Sequence, residues 1–249
     1  MHQTAAESIT APAATQHERR YLRLAGYVGL FPFLAMIGDL TIGRIPWPDN
    51  NLPGRAYLSY LLAHRTDEIQ SLTWACVLMA MLLFFLLLGA AYMQRAARLT
   101  ASGMAMIIGM TIFTAVALAS VGSYLGIALW ARGDPSFGSS PGDIRLATFV
   151  WGADNMITFL CVLPTALTWT AVVAANRADP LLPRVLGGWC AGAVAAVNVG
   201  CLGFAFADTG RWSPISTYEE FLQMGPVFVW TIVAAVALLR STSKAGRAG

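Results

Sequence analysis

Charge is scarce in this chain. Of its 249 residues only 12% are Asp, Glu, Lys or Arg, whereas 57% are hydrophobic, against roughly a quarter charged in an ordinary soluble domain. Lysine is nearly missing, with Lys244 near the C-terminus as the single one, so no buried amine is available for Schiff-base chemistry. His2, His17 and His64 all lie outside the apolar runs, which excludes bis-histidine haem and the histidine clusters of di-iron desaturases. The sequence has no H-E-x-x-H zinc motif and no G-x-x-x-x-G-K-[ST] phosphate loop. Aspartate-rich motifs for a magnesium diphosphate are missing too. Cys76, Cys161, Cys190 and Cys201 sit in apolar segments with neither redox-pair nor zinc-site spacing. The reading therefore assigns no metal and no cofactor, and carboxylate and aromatic chemistry remain. The net charge of +3 comes from 16 Lys plus Arg against 13 Asp plus Glu, without a basic cluster, so no nucleic-acid partner is expected.

What is abundant is apolar length. Residues 22–42, 69–92, 101–130, 146–175, 185–207 and 221–239 are each long enough to cross a bilayer, which takes about 20 residues. The expected fold is all-α, a polytopic membrane protein with a six-transmembrane-helix bundle over residues 21–240. Residues 1–20 are expected to be a disordered cytosolic tail, and residues 241–249 a second cytosolic tail. Six spans place both termini on one side. That side carries Arg19, Arg20, Arg23, Arg95, Arg98, Arg177, Arg184, Arg240, Lys244 and Arg247, against Arg44, Arg55, Arg65, Arg132, Arg145 and Arg211 opposite. Cations favour the cytosolic face, so both termini are expected in the cytoplasm of a bacterial inner membrane.

The fourth run contains the stretch Trp151-Gly152-Ala153-Asp154-Asn155-Met156-Ile157-Thr158. On a helix Trp151, Asp154, Asn155 and Thr158 share one face. An ionisable group at that depth costs several kcal/mol by insertion scales, so it faces a bundle interior or a wet cavity. Asp154 is the leading candidate for function.

The acids are asymmetric. Asp49, Asp67, Glu68, Asp134, Asp143, Asp208, Glu219 and Glu220 fall on the outer side, and Asp39 and Asp154 in the outer halves of their helices. An outward-opening cavity follows, with Asp39, Trp74, Tyr124, Trp130, Trp151, Asp154, Asn155 and Asn198 at similar depth and Glu68, Asp208 and Gln223 at the rim. A carboxyl in an apolar pocket stays protonated near neutral pH and acts as an acid, while aromatic faces stabilise a cation. This fits a membrane-bound terpenoid cyclase that protonates an alkene of a farnesyl-type isoprenoid in a dry pocket. Asp154 and Asp39 are its catalytic candidates; Trp151, Asn155, Trp74, Tyr124, Asn198, Glu68 and Asp208 are its substrate-binding candidates. Its partners would be a lipophilic small-molecule substrate and membrane lipid. Two other readings remain open: a small-molecule or proton-coupled carrier, and a non-catalytic interaction subunit in which the acids are structural.

Between the first two spans, Pro46, Pro48 and Pro53 stop the first helix. Tyr57, Leu58, Leu61 and Leu62 then recur at helical spacing, as in a short helix in the membrane interface, either a lid or a connector. In the run His64-Arg65-Thr66-Asp67-Glu68, a helix start explains the two acids better than a metal site does. Gly122/Gly126 and Gly188/Gly192 are read as close-packing positions within the bundle. Pro32 and Pro164 are expected to bend their spans.

At Pro180-Leu181-Leu182-Pro183-Arg184-Val185-Leu186-Gly187-Gly188-Trp189 the chain resembles a group of small bacterial six-helix membrane proteins in which a cytosolic Leu-Pro-Arg segment leads into a Gly-rich fifth helix. In size, acid placement and lack of aspartate-rich motifs it is also similar to bacterial membrane-bound terpenoid cyclases. The first resemblance implies the fold, and the second an acid-catalysed cyclisation.

Overall fold

The computed structural model describes residues 16–42, 55–56, 58–59, 67–134, 136–206 and 217–245. Among them, seven α-helices form: α1 (Gln16–Ile42), α2 (Asp67–Arg95), α3 (Ala101–Gly133), α4 (Pro141–Leu160), α5 (Val162–Ala178), α6 (Ala191–Cys201) and α7 (Thr217–Ala245). A π-helical turn at Val185–Cys190 leads into α6, and a 3-10 turn at Leu202–Phe206 continues it. The fold is all-α, as composition and periodicity require.

Among the described residues, four helical stretches are long and apolar enough to cross a membrane: Ser71–Arg95, Ala101–Ala131, Val185–Phe204 and Leu222–Ser243. The other two expected spans differ. The run 22–42 lies inside α1, whose first two turns carry Glu18, Arg19, Arg20 and Arg23. The run 146–175 is divided into α4 and α5 at Cys161. Pro164 gives the reason, since its ring clashes with the carbonyl four residues earlier and it offers no N–H to that oxygen. That carbonyl belongs to Leu160, the last residue of α4. The boundaries expected at residues 20 and 240 also fall inside helices, because α1 starts at Gln16 and α7 continues to Ala245.

The helices form a closed ring in which α1 packs on α2, α2 on α3, α3 on α5, α5 on α6, α6 on α7, and α7 on α1, while α4 packs on α3. Short connections make sequential helices neighbours. The turn after α2 is built by Ala97 at φ 51°, with Arg98 N–H donating to the Met93 carbonyl and Ala97 N–H to that of Gln94. This is the Schellman arrangement that satisfies the last carbonyls of a helix. α3 then starts at an N-cap, where Thr100 Oγ1 accepts from Gly103 N–H at 3.1 Å.

Inside the ring, Phe84 and Phe85 of α2, Trp169 of α5 and Trp230 of α7 pack together. The Phe85 ring lies 4.9 Å from that of Trp169, and Trp169 5.6 Å from Trp230. Offset and edge-on aromatic pairs of this kind contribute beyond their buried area. Trp230 Nε1 donates to the Leu186 carbonyl of the π turn at 2.9 Å. Among the described residues, none of the glycines expected to allow close packing does so: a side chain at Gly122, Gly126 or Gly188 would meet nothing within 4 Å and one at Gly192 only Val173 at 3.9 Å, whereas one at Gly26, Gly29, Gly103 or Gly109 would collide with a neighbouring helix or turn. Tight approach is therefore made by α1 against α2 and α7, and by α3 against α5. Periodicity reveals small residues but not which face meets a partner.

Candidate functional site

One end of the bundle is organised by the turn between α3 and α4. Asp134 Oδ1 accepts from Ser136 N–H at 2.9 Å and from Ser136 Oγ at 2.6 Å. Ser140 and Asp143 form a reciprocal cap, in which Asp143 N–H donates to Ser140 Oγ and Ser140 N–H to Asp143 Oδ2. Gly138 N–H adds a second bond to that carboxylate at 3.0 Å, and Pro141 occupies the first position of α4, where a missing N–H costs nothing. These bonds hold both carboxyls below the ordinary range: Ser136 acts on Asp134, and Ser140, then Gly138, on Asp143.

The turn places Phe137 in an apolar cluster with Tyr124, Ile127, Ala128 and Ala131 of α3 and Ala147 and Trp151 of α4. Tyr124 is 6% and Trp151 7% exposed. Trp130, half-exposed, stacks on Phe137 at 5.5 Å, an interface position for which an anchoring role suffices. Leu58, from the segment between α1 and α2, is buried in the same cluster. Of that helically spaced set, Leu58 is thus packed against the Tyr124–Trp151 group. Tyr57, Leu61 and Leu62 lie outside the described residues.

The other expected pocket residues do not join this cluster. Trp74 of α2 is half-buried against the main core, with its ring 5.9 Å from Phe228 of α7. Asn198 of α6 is fully buried, and its Nδ2 donates to the Val194 carbonyl at 3.1 Å and to the Gln223 carbonyl at 3.4 Å. Asn198 Oδ1 is buried and, among the described residues, accepts no hydrogen bond. Gln223 is fully buried rather than at a rim. Pro226 leaves the carbonyl of the adjacent Leu222 without its usual helical donor. Among the described residues, Trp74 and Asn198 thus each meet α7, whereas Tyr124 and Trp151 pack in the α3–α4 cluster.

Asp39 lies in α1, Glu68 in α2, and Asp154 and Asn155 in α4, but their side chains, with that of Thr158 and all of Asp208, lie outside the described residues. Position 154 follows buried Trp151 by one helical turn, and the helix ends at Leu160, less than two turns further on. His64 also lies outside the described residues. Among the described residues no three His, Cys, Asp or Glu side chains gather as a metal site.

Sequence reasoning missed a polar node at the opposite end. Asn176 Oδ1 accepts from Tyr92 Oη at 2.8 Å, Leu182 N–H at 2.9 Å and Leu181 N–H at 3.1 Å, while its Nδ2 donates to the Leu182 carbonyl. A side chain at Gly187 would collide with Asn176. Nearby helix ends are joined by the Arg95–Glu18 pair at 3.0 Å, with Glu18 buried. The signal was present in the Pro180–Trp189 stretch, whose loop and glycines shape themselves around a side chain outside the motif. No known protein family, curated protein or solved structure matches this chain.

Proposed function

We propose that the chain is a six-pass protein of a bacterial inner membrane with both termini in the cytoplasm, and that it cyclises a farnesyl-type isoprenoid or prenylated compound by acid catalysis. α1 supplies one further crossing and the α4–α5 pair the other, with the Pro164 break inside the bilayer. A break of that kind is tolerated where freed backbone groups are buried in protein or line a cavity. The likeness to small six-helix bacterial membrane proteins and to terpenoid cyclases belongs to the same proposal.

The observation that carries it is the closed apolar and aromatic cluster of Tyr124, Phe137 and Trp151 under Leu58, one turn from Asp154 on the same helix. Such surroundings exclude water from the reacting carbons. Asp154 delivers a proton to an alkene carbon, and a second alkene attacks the resulting cation to form the ring bond. A neighbouring carbon then releases a proton to the Asp154 carboxylate, which restores the acid, so mass is unchanged. Asp39 is the second carboxylate. Trp74, Trp151 and Tyr124 bound the path of the cation, with Asn155, Asn198, Glu68 and Asp208 as polar contacts. Asn198 Oδ1 suits a substrate hydroxyl, since a buried acceptor without a donor is costly.

The test is mass spectrometry of membranes carrying the wild type or Asp154→Asn, incubated with free farnesyl compounds and farnesylated acceptors. A product of unchanged mass and altered retention is expected only with the wild type. Equal product from Asp154→Asn would sink the assignment.

The α4–α5 break favours a second reading, a carrier, because interrupted spans build substrate sites in many transporters. Flux in proteoliposomes with no chemical change in the transported compound would select it.

A further inference from the structure

A groove of about 550 Å³ runs between α1 and α2 on the outside of the ring, lined by Tyr27, Val28 and Phe31 of α1 and by Met79, Ala80, Leu82, Leu83 and Leu86 of α2. Its walls are large and half-exposed: Tyr27 is 55% and Met79 50% exposed. Ala80 keeps part of the floor low because its side chain is one methyl group. Such a groove exposes apolar surface to the hydrocarbon, and a chain of methylenes is what fits it.

The end toward the N-terminus of α1 is cationic. Arg23 lies one turn before Tyr27; its Cζ is 5.8 Å from the Tyr27 ring centroid, and Nη2 reaches Tyr27 Oη at 3.5 Å. Arg19 and Arg20, both exposed, sit a further turn along. An apolar channel with a guanidinium at one mouth has the polarity of a phospholipid, and stacking on Tyr27 fixes the fork that a phosphate accepts from. In the proposed orientation this mouth lies at the cytoplasmic leaflet, the anionic one.

We propose that the α1–α2 groove is a binding site for one anionic phospholipid, with an acyl chain along Ala80 and the phosphate on Arg23. The site requires no particular chemistry at Asp154, and its occupancy in detergent does not depend on orientation.

The test uses the full chain in mild detergent with equal amounts of phosphatidylglycerol and phosphatidylcholine, read by native mass spectrometry. A phosphatidylglycerol bearing a mid-chain diazirine then maps the site. The wild type should retain phosphatidylglycerol preferentially and cross-link within residues 27–31 and 79–86. Arg23→Ala should lower that preference about fivefold, the effect of one interfacial cation. Ala80→Phe, which fills the floor, should remove the cross-links; if it does not fold, the wild-type map and Arg23→Ala decide. Equal retention of the two lipids by the wild type, cross-links scattered over the bundle, or an unchanged preference in Arg23→Ala would overturn the site. So would displacement of the cross-links by a second copy of the chain on dimerisation, or by a farnesyl compound at equal concentration.

Discussion

Tyr92 donates to Asn176 at 2.8 Å across the ring, the third donor on an oxygen that already accepts the amides of Leu181 and Leu182. The two residues tie α2 to the end of α5 and to the loop before the π turn. Tyr92→Phe removes one bond and leaves Asn176 Oδ1 with two donors, so it should cost about 1 kcal/mol. Asn176→Ala strands two amides and the Leu182 carbonyl, and should cost about 3 kcal/mol or more. Thermal unfolding in detergent measures both, and equal losses would show that the loop is not held by Asn176.

Ala97 occupies the left-handed conformation that closes α2. A side chain there costs roughly 1–2 kcal/mol, and glycine does not bear it. Ala97→Gly should therefore stabilise the protein by about 1 kcal/mol, a rise in unfolding midpoint with activity unchanged. A lower midpoint would contradict the turn described.

The Asp134 and Asp143 carboxyls are both held below the ordinary range by hydrogen bonds. A depressed folded-state pKa means that the unfolded chain binds protons first on acidification. The stabilisation is thus complete above the ordinary carboxylate range and is lost as pH falls through the lowered values. Hydrogen exchange of the Gly138 and Ser140 amides, corrected for intrinsic rate, should show protection falling in that acid window. In Asp143→Asn the change should be largely absent. Protection that is flat across the window in the wild type would refute it.

Leu58 is buried against Tyr124 and Trp151. If it closes the catalytic pocket, Leu58→Ala should admit water and lower cyclised product by more than its loss of stability explains. A connector would lose stability alone, by about 2–5 kcal/mol at most. Product yield per folded protein separates the two outcomes.

Asn198→Leu removes a buried acceptor that no described residue satisfies, together with bonds to Val194 and Gln223. Exchanging a polar group for an apolar one of similar size is nearly neutral when the acceptor was unsatisfied. Stability should change little, while turnover of a hydroxylated substrate falls about tenfold. Undiminished turnover would remove Asn198 from the substrate path.

The amino-acid sequence by itself determined the all-α class, the apolar segments and the helix start at Asp67. Each depends on local chemistry: the length of an apolar run, acids at an N-terminus. It put Tyr124 and Trp151 at similar depth, along with Trp74 and Asn198, because depth follows from position along a helix. Tertiary structure alone decided the rest. The ring's closure by α1 on α7, the separation of Trp74 and Asn198 from the Tyr124–Trp151 cluster, and the burial of Leu58 all depend on which helix faces meet. Pro164 was visible as a bend, and its chemistry divides the run, but that α4 and α5 then pack on different stretches of α3 was decided by the tertiary structure. Gly122 and Gly187 look alike in sequence; a side chain at Gly187 would meet Asn176 and one at Gly122 no described residue, because a residue's periodicity fixes its side of a helix but not what lies across from it.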